Sequence, residues 1–320
     1  MNLDYLARAA VIALAWLAVV NLATTAAVAM AAPRIARSSR ARSSAATWLT
    51  LRLLPASASV IFVAVLFLPS YFRFEPRDPG EGVDVTLAAL ALAAAAIVLT
   101  GIARGILSWR RAARKSRAWI RRARPIALGA PLAAYEIPID APMMALAGVI
   151  RPRLIVTRGL VGALTAEELR ASVAHEIGHW RALDNLKRLA MRAAPDFLFA
   201  TRAASAIESR WAAAAEHAAD RRACEDSDAR CALASALVKV AKLTPPRTPL
   251  AEPISTLVDG GDVASRVRRL LDDPEPSVRS RPRWRLPLAA AAAAGVLALA
   301  YAPLLRLVHA ATELLVNALP

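Results

Sequence analysis

Histidine, cysteine and aromatic residues are all scarce in this chain. Its 320 residues include four His and two Cys, and aromatics make up 5%. Cys224 and Cys231 match no zinc-ribbon spacing and fall in a segment assigned below to the cytosol, so buried, reduced thiols are expected and a disulfide is not. Acidic residues are also in short supply, 25 against 41 basic ones, for a net charge of +16. That charge would suit nucleic acid, but stacking aromatics are few and the basic residues cluster at the ends of long apolar runs. Membrane topology explains such clustering, and no direct nucleic-acid binding is expected. Ionisable residues are missing from the middle of the apolar runs, which argues against a transporter. No internal repeat is present.

What the chain has in abundance is apolar sequence, 57% of its residues, more than an ordinary soluble enzyme carries. Four stretches are long enough to cross a hydrocarbon core of about 30 Å: Ala9 to Ala32, Leu53 to Phe72, Val85 to Ala103 and Leu286 to Leu305. The first ends in small residues that a signal peptidase could accept. Its apolar core is longer than a typical signal sequence and its start is nearly neutral, so a retained span is expected. Orientation follows the basic residues of the short loops. Pro33 to Arg52 and Arg104 to Arg124 carry Arg and Lys without any acid, and Arg279, Arg281, Arg283 and Arg285 precede the fourth stretch. All three belong in the cytoplasm, whereas Arg73 to Asp84, rich in acids, belongs outside. The expected layout is three spans within residues 1–108, a cytoplasmic domain over 109–285, and a fourth span with a short extracytoplasmic tail over 286–320. Between Arg104 and Arg124, the Trp109 and Trp119 rings read as interfacial anchors of a helix leaving the membrane.

Within the cytoplasmic segment, Tyr135 to Ile139, Met143 to Val149 and Arg153 to Thr157 read as short strands punctuated by proline. A helix is expected over Ala166 to Ala193, ended near Pro195, with Thr165 and Glu168 forming a capping box and Leu169, Val173, Ile177, Trp180 and Leu183 at helical spacing. Further helices are expected over Ala203 to Arg222 and Ala229 to Leu243, and Ile254 to Leu271 reads as partly helical. The fold class is therefore mainly α: four transmembrane helices with a zincin-like α+β domain built on a small sheet.

The chemistry concentrates in His175-Glu176-Ile177-Gly178-His179. This HExxH pattern arises by chance in roughly one or two of a thousand shuffles of such a composition. On a helix the imidazoles of His175 and His179 lie on one face and can share one zinc ion, with Glu176 beside the water that the metal activates. A third ligand is needed, and Glu216 in the ExxxD of Glu216 to Asp220 supplies it from the next long helix, flanked by small residues that permit close approach. Asp220, one turn on, could accept the outer N–H of a ligating His. Asp184, five residues beyond His179, would point about 140° away from it on a continuous helix. It is either a supporting partner reached through another group or an acid paired with Lys187 or Arg188. His217, about 100° from Glu216 on the helix, is either an aid to the oxyanion or, the reading favoured, a satisfied core residue, and His309 lies beyond the fourth span. Met143 to Gly148 is either an exposed edge for an added substrate strand or a buried strand.

HEIGHWRALDN, EHAAD and the upstream PRLIVTRGLVGALTAEELRASVAHE resemble the membrane-embedded gluzincin peptidases of the BlaR/MecR sensor-transducer type. They are similar, more distantly, to HtpX and CAAX-prenyl-protease-like peptidases. The resemblance implies one zinc ion per chain on His175, His179 and Glu216, Glu176 as catalytic acid/base, Asp220 as supporting acid and a tilt of Asp184 towards the same role. It further implies a protein or peptide substrate, with a cytosolic transcriptional repressor as the family's example, and residence in a bacterial inner membrane. The chain ends about fifteen residues past Leu305, so no penicillin-binding domain is expected to follow. Two alternatives are an HtpX-like quality-control protease and a catalytically idle zinc-binding adaptor.

Overall fold

The computed structural model describes residues 3–38, 43–76, 84–224, 226–243, 254–256, 263–272 and 285–317, with the backbone alone for 254–256 and 285–299. Arg279, Arg281, Arg283 and most of the acidic loop before Asp84 lie outside the described residues. Three described helices are long and apolar enough to cross a membrane: α1 (Leu3–Ile35), α2 (Ala45–Phe74) and α3 (Val85–Ile120). The Ser44 side chain caps α2 by accepting from the Thr47 N–H, and Asp84 caps α3 by accepting from the Thr86 N–H. Phe62–Phe67 forms a π-helical turn within α2. At 33, 30 and 36 residues these helices exceed the length that a bilayer core requires. α2 runs beyond its apolar stretch chiefly at its N-terminal end and α3 at its C-terminal end, on the side of the bundle where α1 ends. There Val28, Ala32 and Trp48 join Met191, Leu198, Ile207 and Trp211 in a single apolar cluster. At the other end of the bundle the rings of Tyr5 and Tyr71 meet at a tilt of 41°, 5.0 Å between centres, beside Leu87 and Val308.

Five strands follow: β1 (Arg124–Pro125), β2 (Ala134–Ile137), β3 (Met144–Ala147), β4 (Arg153–Thr157) and, far along the chain, β5 (Ile254–Thr256). Their spatial order is β1-β2-β4-β3-β5, with β2 and β4 parallel and the other pairs antiparallel. The Met143 to Gly148 stretch is thus the buried strand and not an edge. β4 flanks it on one side, β5 pairs with it on the other, and all four β3 residues are buried.

Helices α4 (Arg158–Ala163), α5 (Ala166–Arg181), α6 (Asp184–Ala193), α7 (Arg202–Ala223), α8 (Ser227–Leu243) and α9 (Val263–Asp272) surround the sheet, and a 3-10 turn, Phe197–Ala200, leads into α7. α5 opens with the capping box of Thr165 and Glu168. It packs through Val173 against a core that includes Met144, Leu154, Val156, Leu160, Leu233 and Leu237. The helix expected over Ala166 to Ala193 is in fact two. Leu183 adopts a left-handed conformation, φ 57°, and α6 restarts at Asp184. The restart is held to the sheet by Asn185, whose amide donates to the carbonyls of Leu146 and Gly148, each at 2.9 Å. Those two bonds replace what a continuous helix would gain, which explains why helical periodicity alone overshot. Helix α10 (Arg285–Asn317) covers the stretch Leu286 to Leu305 and lies along α2, where the Ser70 hydroxyl donates to the Leu305 carbonyl at 2.7 Å. Both cysteines are free, but neither is buried as expected: Cys224 is half-buried and Cys231 is exposed on α8.

The left-handed turn gives a direct test. Leu183 is 54% exposed, so replacing it sacrifices little packing. Leu183→Asn, which tolerates positive φ, is expected to leave thermal stability unchanged or raise it. Leu183→Val should cost about 1 kcal/mol in chemical denaturation.

Candidate metal centre

His175 and His179 lie one turn apart on α5, fully buried, with their ring planes nearly perpendicular at 82°. α7 crosses α5 at Gly178, where a Cβ would meet Ala219 Cα at 3.3 Å, tighter than most real contacts. The glycine inside HExxH therefore sets the approach of the two helices, and that approach delivers the Glu216 carboxylate to the imidazoles. His175 Nε2 lies 3.1 Å from His179 Nε2, Glu216 Oε2 3.5 Å from the first ring and Glu216 Oε1 3.4 Å from the second. Donors at about 2.0–2.1 Å from one tetrahedral zinc ion stand about 3.4 Å apart, so these three residues fit that metal. The group of His175, His179 and Glu216 can hold a metal ion.

Each imidazole has its own acid on the outer nitrogen. Asp220 Oδ1, one turn beyond Glu216, lies 2.9 Å from His175 Nδ1. Asp184 Oδ2 lies 2.8 Å from His179 Nδ1, because the break at Leu183 turns the chain back and removes the angular offset of a continuous helix. Lys187 Nζ steadies Asp184 from 3.3 Å. Sequence reasoning missed one residue of the centre. Arg266 of α9 is buried, with Nη1 3.1 Å from Glu216 Oε2 and its Nε and Nη2 donating to Asp220 at 2.9 and 2.6 Å. A signal for it existed. Val263, Arg266, Val267 and Leu270 share one helical face, so an arginine stands in an apolar stripe.

Burial and charge pull these groups apart. Burial alone would raise Glu216, but His179, Arg266 and His175 hold its carboxyl well below the usual range. Asp220, also buried, is drawn down to about 2 by His175 and Arg266. Burial opposes charge on His179, yet the Glu216 carboxylate and the Asp184 hydrogen bond push it up to about 10. Glu176 goes the other way. It is 1% exposed, neither of its oxygens has a hydrogen-bond partner among the described residues, and burial pushes its carboxyl upward against the pull of the two imidazoles. His217 is half-buried and lies outside the group. His309 sits at the other end of the bundle, with Nδ1 3.9 Å from Glu75 Oε2, where Arg8 also reaches Glu75 at 3.8 Å.

Two imidazoles from one helix, a carboxylate from the next and an unpaired acid beside them form the kind of site that metallopeptidases use. Residues 117–259 match the family model described as peptidase family M48. That stretch runs from the end of α3 through β5 and takes in α5 and α7 with the His–His–Glu group. No curated protein matches the chain. The match and the geometry together support a metallopeptidase of membrane type, without singling out the BlaR kind.

Gly178→Val is expected to force α5 and α7 apart and so to separate Glu216 from the imidazoles. Zinc affinity measured against a chelator should fall, with a stability loss of about 1–3 kcal/mol. Wild-type affinity in a folded Gly178→Val protein would contradict the close-approach argument.

Proposed function

We propose that this chain is an integral-membrane zinc endopeptidase, with zinc held by His175, His179 and Glu216 and with Glu176 as the acid/base. The observation that carries the reading is the convergence of those three donors at 3.1 to 3.5 Å around one point beside an unpaired buried carboxyl. Zinc bound there would supply Lewis acidity, polarising the scissile carbonyl and lowering the pKa of a coordinated water towards about 7. Glu176 takes the proton from the attacking water and hands it to the leaving amine. Its desolvated setting favours this, because burial brings the carboxyl closer to the pH at which it must both accept and give a proton. Asp184 and Asp220 hold the outer N–H of each ring, which leaves the Nε2 atoms to the metal. A peptide added as a strand would pair with β5, which is the outer strand beyond β3 among the described residues.

On the reading we favour, the domain faces the cytoplasm, α10 supplies the fourth span, and the protease acts in signalling by cleaving a repressor-like protein, as BlaR-type peptidases do. The basic loops support that orientation. A second reading, an HtpX-like protease of membrane proteins, is favoured by the seat of α6 and α7 on the bundle, which keeps the site close to α1 and α2.

Glu176→Gln should lower peptide cleavage by about 10²- to 10⁴-fold while zinc content stays unchanged. Cleavage at the wild-type rate in the zinc-loaded variant would rule out the mechanism. The same variant, used as a trap in cells, separates the two physiological readings: an enriched cytosolic repressor supports the first, and enriched membrane proteins support the second.

A further inference from the structure

Arg52 stands in the basic loop before the second apolar stretch, where topology alone would leave it facing lipid phosphates. Its side chain is instead 0% exposed. Three of its N–H groups reach three separate segments. Nε donates to Glu208 Oε1 of α7 at 2.8 Å, Nη1 to Asp196 Oδ2 at 2.8 Å, and Nη2 to the Met191 carbonyl of α6 at 2.9 Å. Asp196 is itself fully buried and caps the 3-10 turn by accepting from the Phe199 N–H at 3.0 Å. The connection between α6 and α7 is gripped by the other spans as well. Asn21 of α1 donates to the Pro195 carbonyl at 3.0 Å and accepts from the Phe197 N–H at 3.0 Å. Gly101 of α3 admits the backbone of Ala193 and Pro195, where a Cβ would meet the Ala193 oxygen at 2.7 Å. The Arg104 guanidinium lies over the Phe199 ring at 4.4 Å.

Both ends of this gripped connection lead to the metal centre. α6 begins with Asp184, which holds His179, and α7 carries Glu216 and Asp220. A planar guanidinium satisfied by two carboxylates and a carbonyl cannot shift without leaving a buried charge unpaired. Its position therefore fixes α7 relative to α6 and α2. We infer that Arg52 is a positioning residue of the metal centre: from a membrane-spanning helix it sets the placement of the helix that brings Glu216 to the imidazoles. The inference rests on the zinc-peptidase reading for its consequence in catalysis, but its effect on metal binding can be read without any substrate.

The test uses the full chain in detergent or nanodiscs, with zinc affinity measured by chelator competition and kcat and KM measured separately on a peptide substrate. Arg52→Gln is expected to weaken zinc binding by about tenfold or more and to lower kcat with little change in KM. Arg52→Lys, which keeps the charge but not the three-way fork, should fall between Arg52→Gln and the wild type. Glu208→Gln removes only the partly exposed arm of the clamp and is the variant that decides if Arg52→Gln fails to fold. A measurable loss of zinc affinity in Glu208→Gln supports the inference. Folded Arg52→Gln or Glu208→Gln protein with wild-type zinc affinity and kcat overturns it. A wild-type chain that binds zinc but cleaves nothing, with affinity lost in these variants, would sink the peptidase reading and leave the clamp standing.

Discussion

A single buried carboxylate governs the architecture of this protein. Removing a charge from water costs several kcal/mol unless partners replace the lost hydration. Glu216 meets that cost with two imidazoles and a guanidinium, all within 3.5 Å. The partners come from two helices, α5 and α9, which have to converge on α7 at one point, and Gly178 lets α5 and α7 do so. The acids around the centre follow from the same requirement. Asp220 serves His175 and Arg266 at once, so the guanidinium that steadies Glu216 is itself held. If Glu216 moved outward, Arg266 and the two imidazoles would lose their shared carboxylate and keep only Asp220 and Asp184 as partners.

That convergence is mounted on a membrane bundle. The C-terminal end of α1 and the N-terminal end of α2 belong to the same packed core as α6 and α7, and Gly101 and Gly105 bring α3 against Ala193 of α6. Trp48 of α2 and Trp211 of α7 are both almost fully buried in it. The Arg210 guanidinium lies over the Trp48 ring at 5.4 Å, and that of Arg188 over the Trp211 ring at the same distance. The α7 helix thus has two faces with different duties. One carries Glu216 and Asp220 to the metal centre, and the other carries Ile207 and Trp211 to the bundle. Motion of α7 against the spans would expose large aromatic surface and break the Arg52 network together. The site and the membrane helices are therefore mechanically one piece, whatever stimulus acts on them.

Local signals in the sequence carried far. HExxH at helical spacing, the capping box of Thr165 and Glu168, and the ExxxD of α7 all rest on interactions within a few residues, and the structure brings those residues together. The strand over Arg153–Thr157 was legible for the same reason. What could not be read depends on contacts between distant segments. The break at Leu183 carries no glycine or asparagine to announce it. It exists because Asn185 finds the carbonyls of Leu146 on β3 and of Gly148 just beyond it, nearly forty residues upstream. That break moved Asp184 from a residue on the wrong face to one in contact with His179. β3 looked equally able to be an edge or an interior strand until β5 arrived from about a hundred residues later. Arg52 entered only as one of the basic residues of a loop and Arg266 not at all, because a sequence does not reveal that two acids will be buried opposite each of them.

The two imidazoles are held alike but not equivalently, and the difference bears on chemistry. His175 takes its acid from α7, the helix that also delivers Glu216. His179 takes its acid from α6, across the left-handed turn. The supporting acid of His175 therefore moves with the third ligand, while that of His179 is anchored to the sheet by Asn185. A displacement of α7 alone would withdraw Glu216 and Asp220 together, leaving His179 oriented by Asp184. Glu176 is on α5 and would stay with the histidines. Among the described residues α7 carries both a member of the His–His–Glu group and contacts with the bundle, so its position bears on that group while Glu176 stays with the histidines on α5.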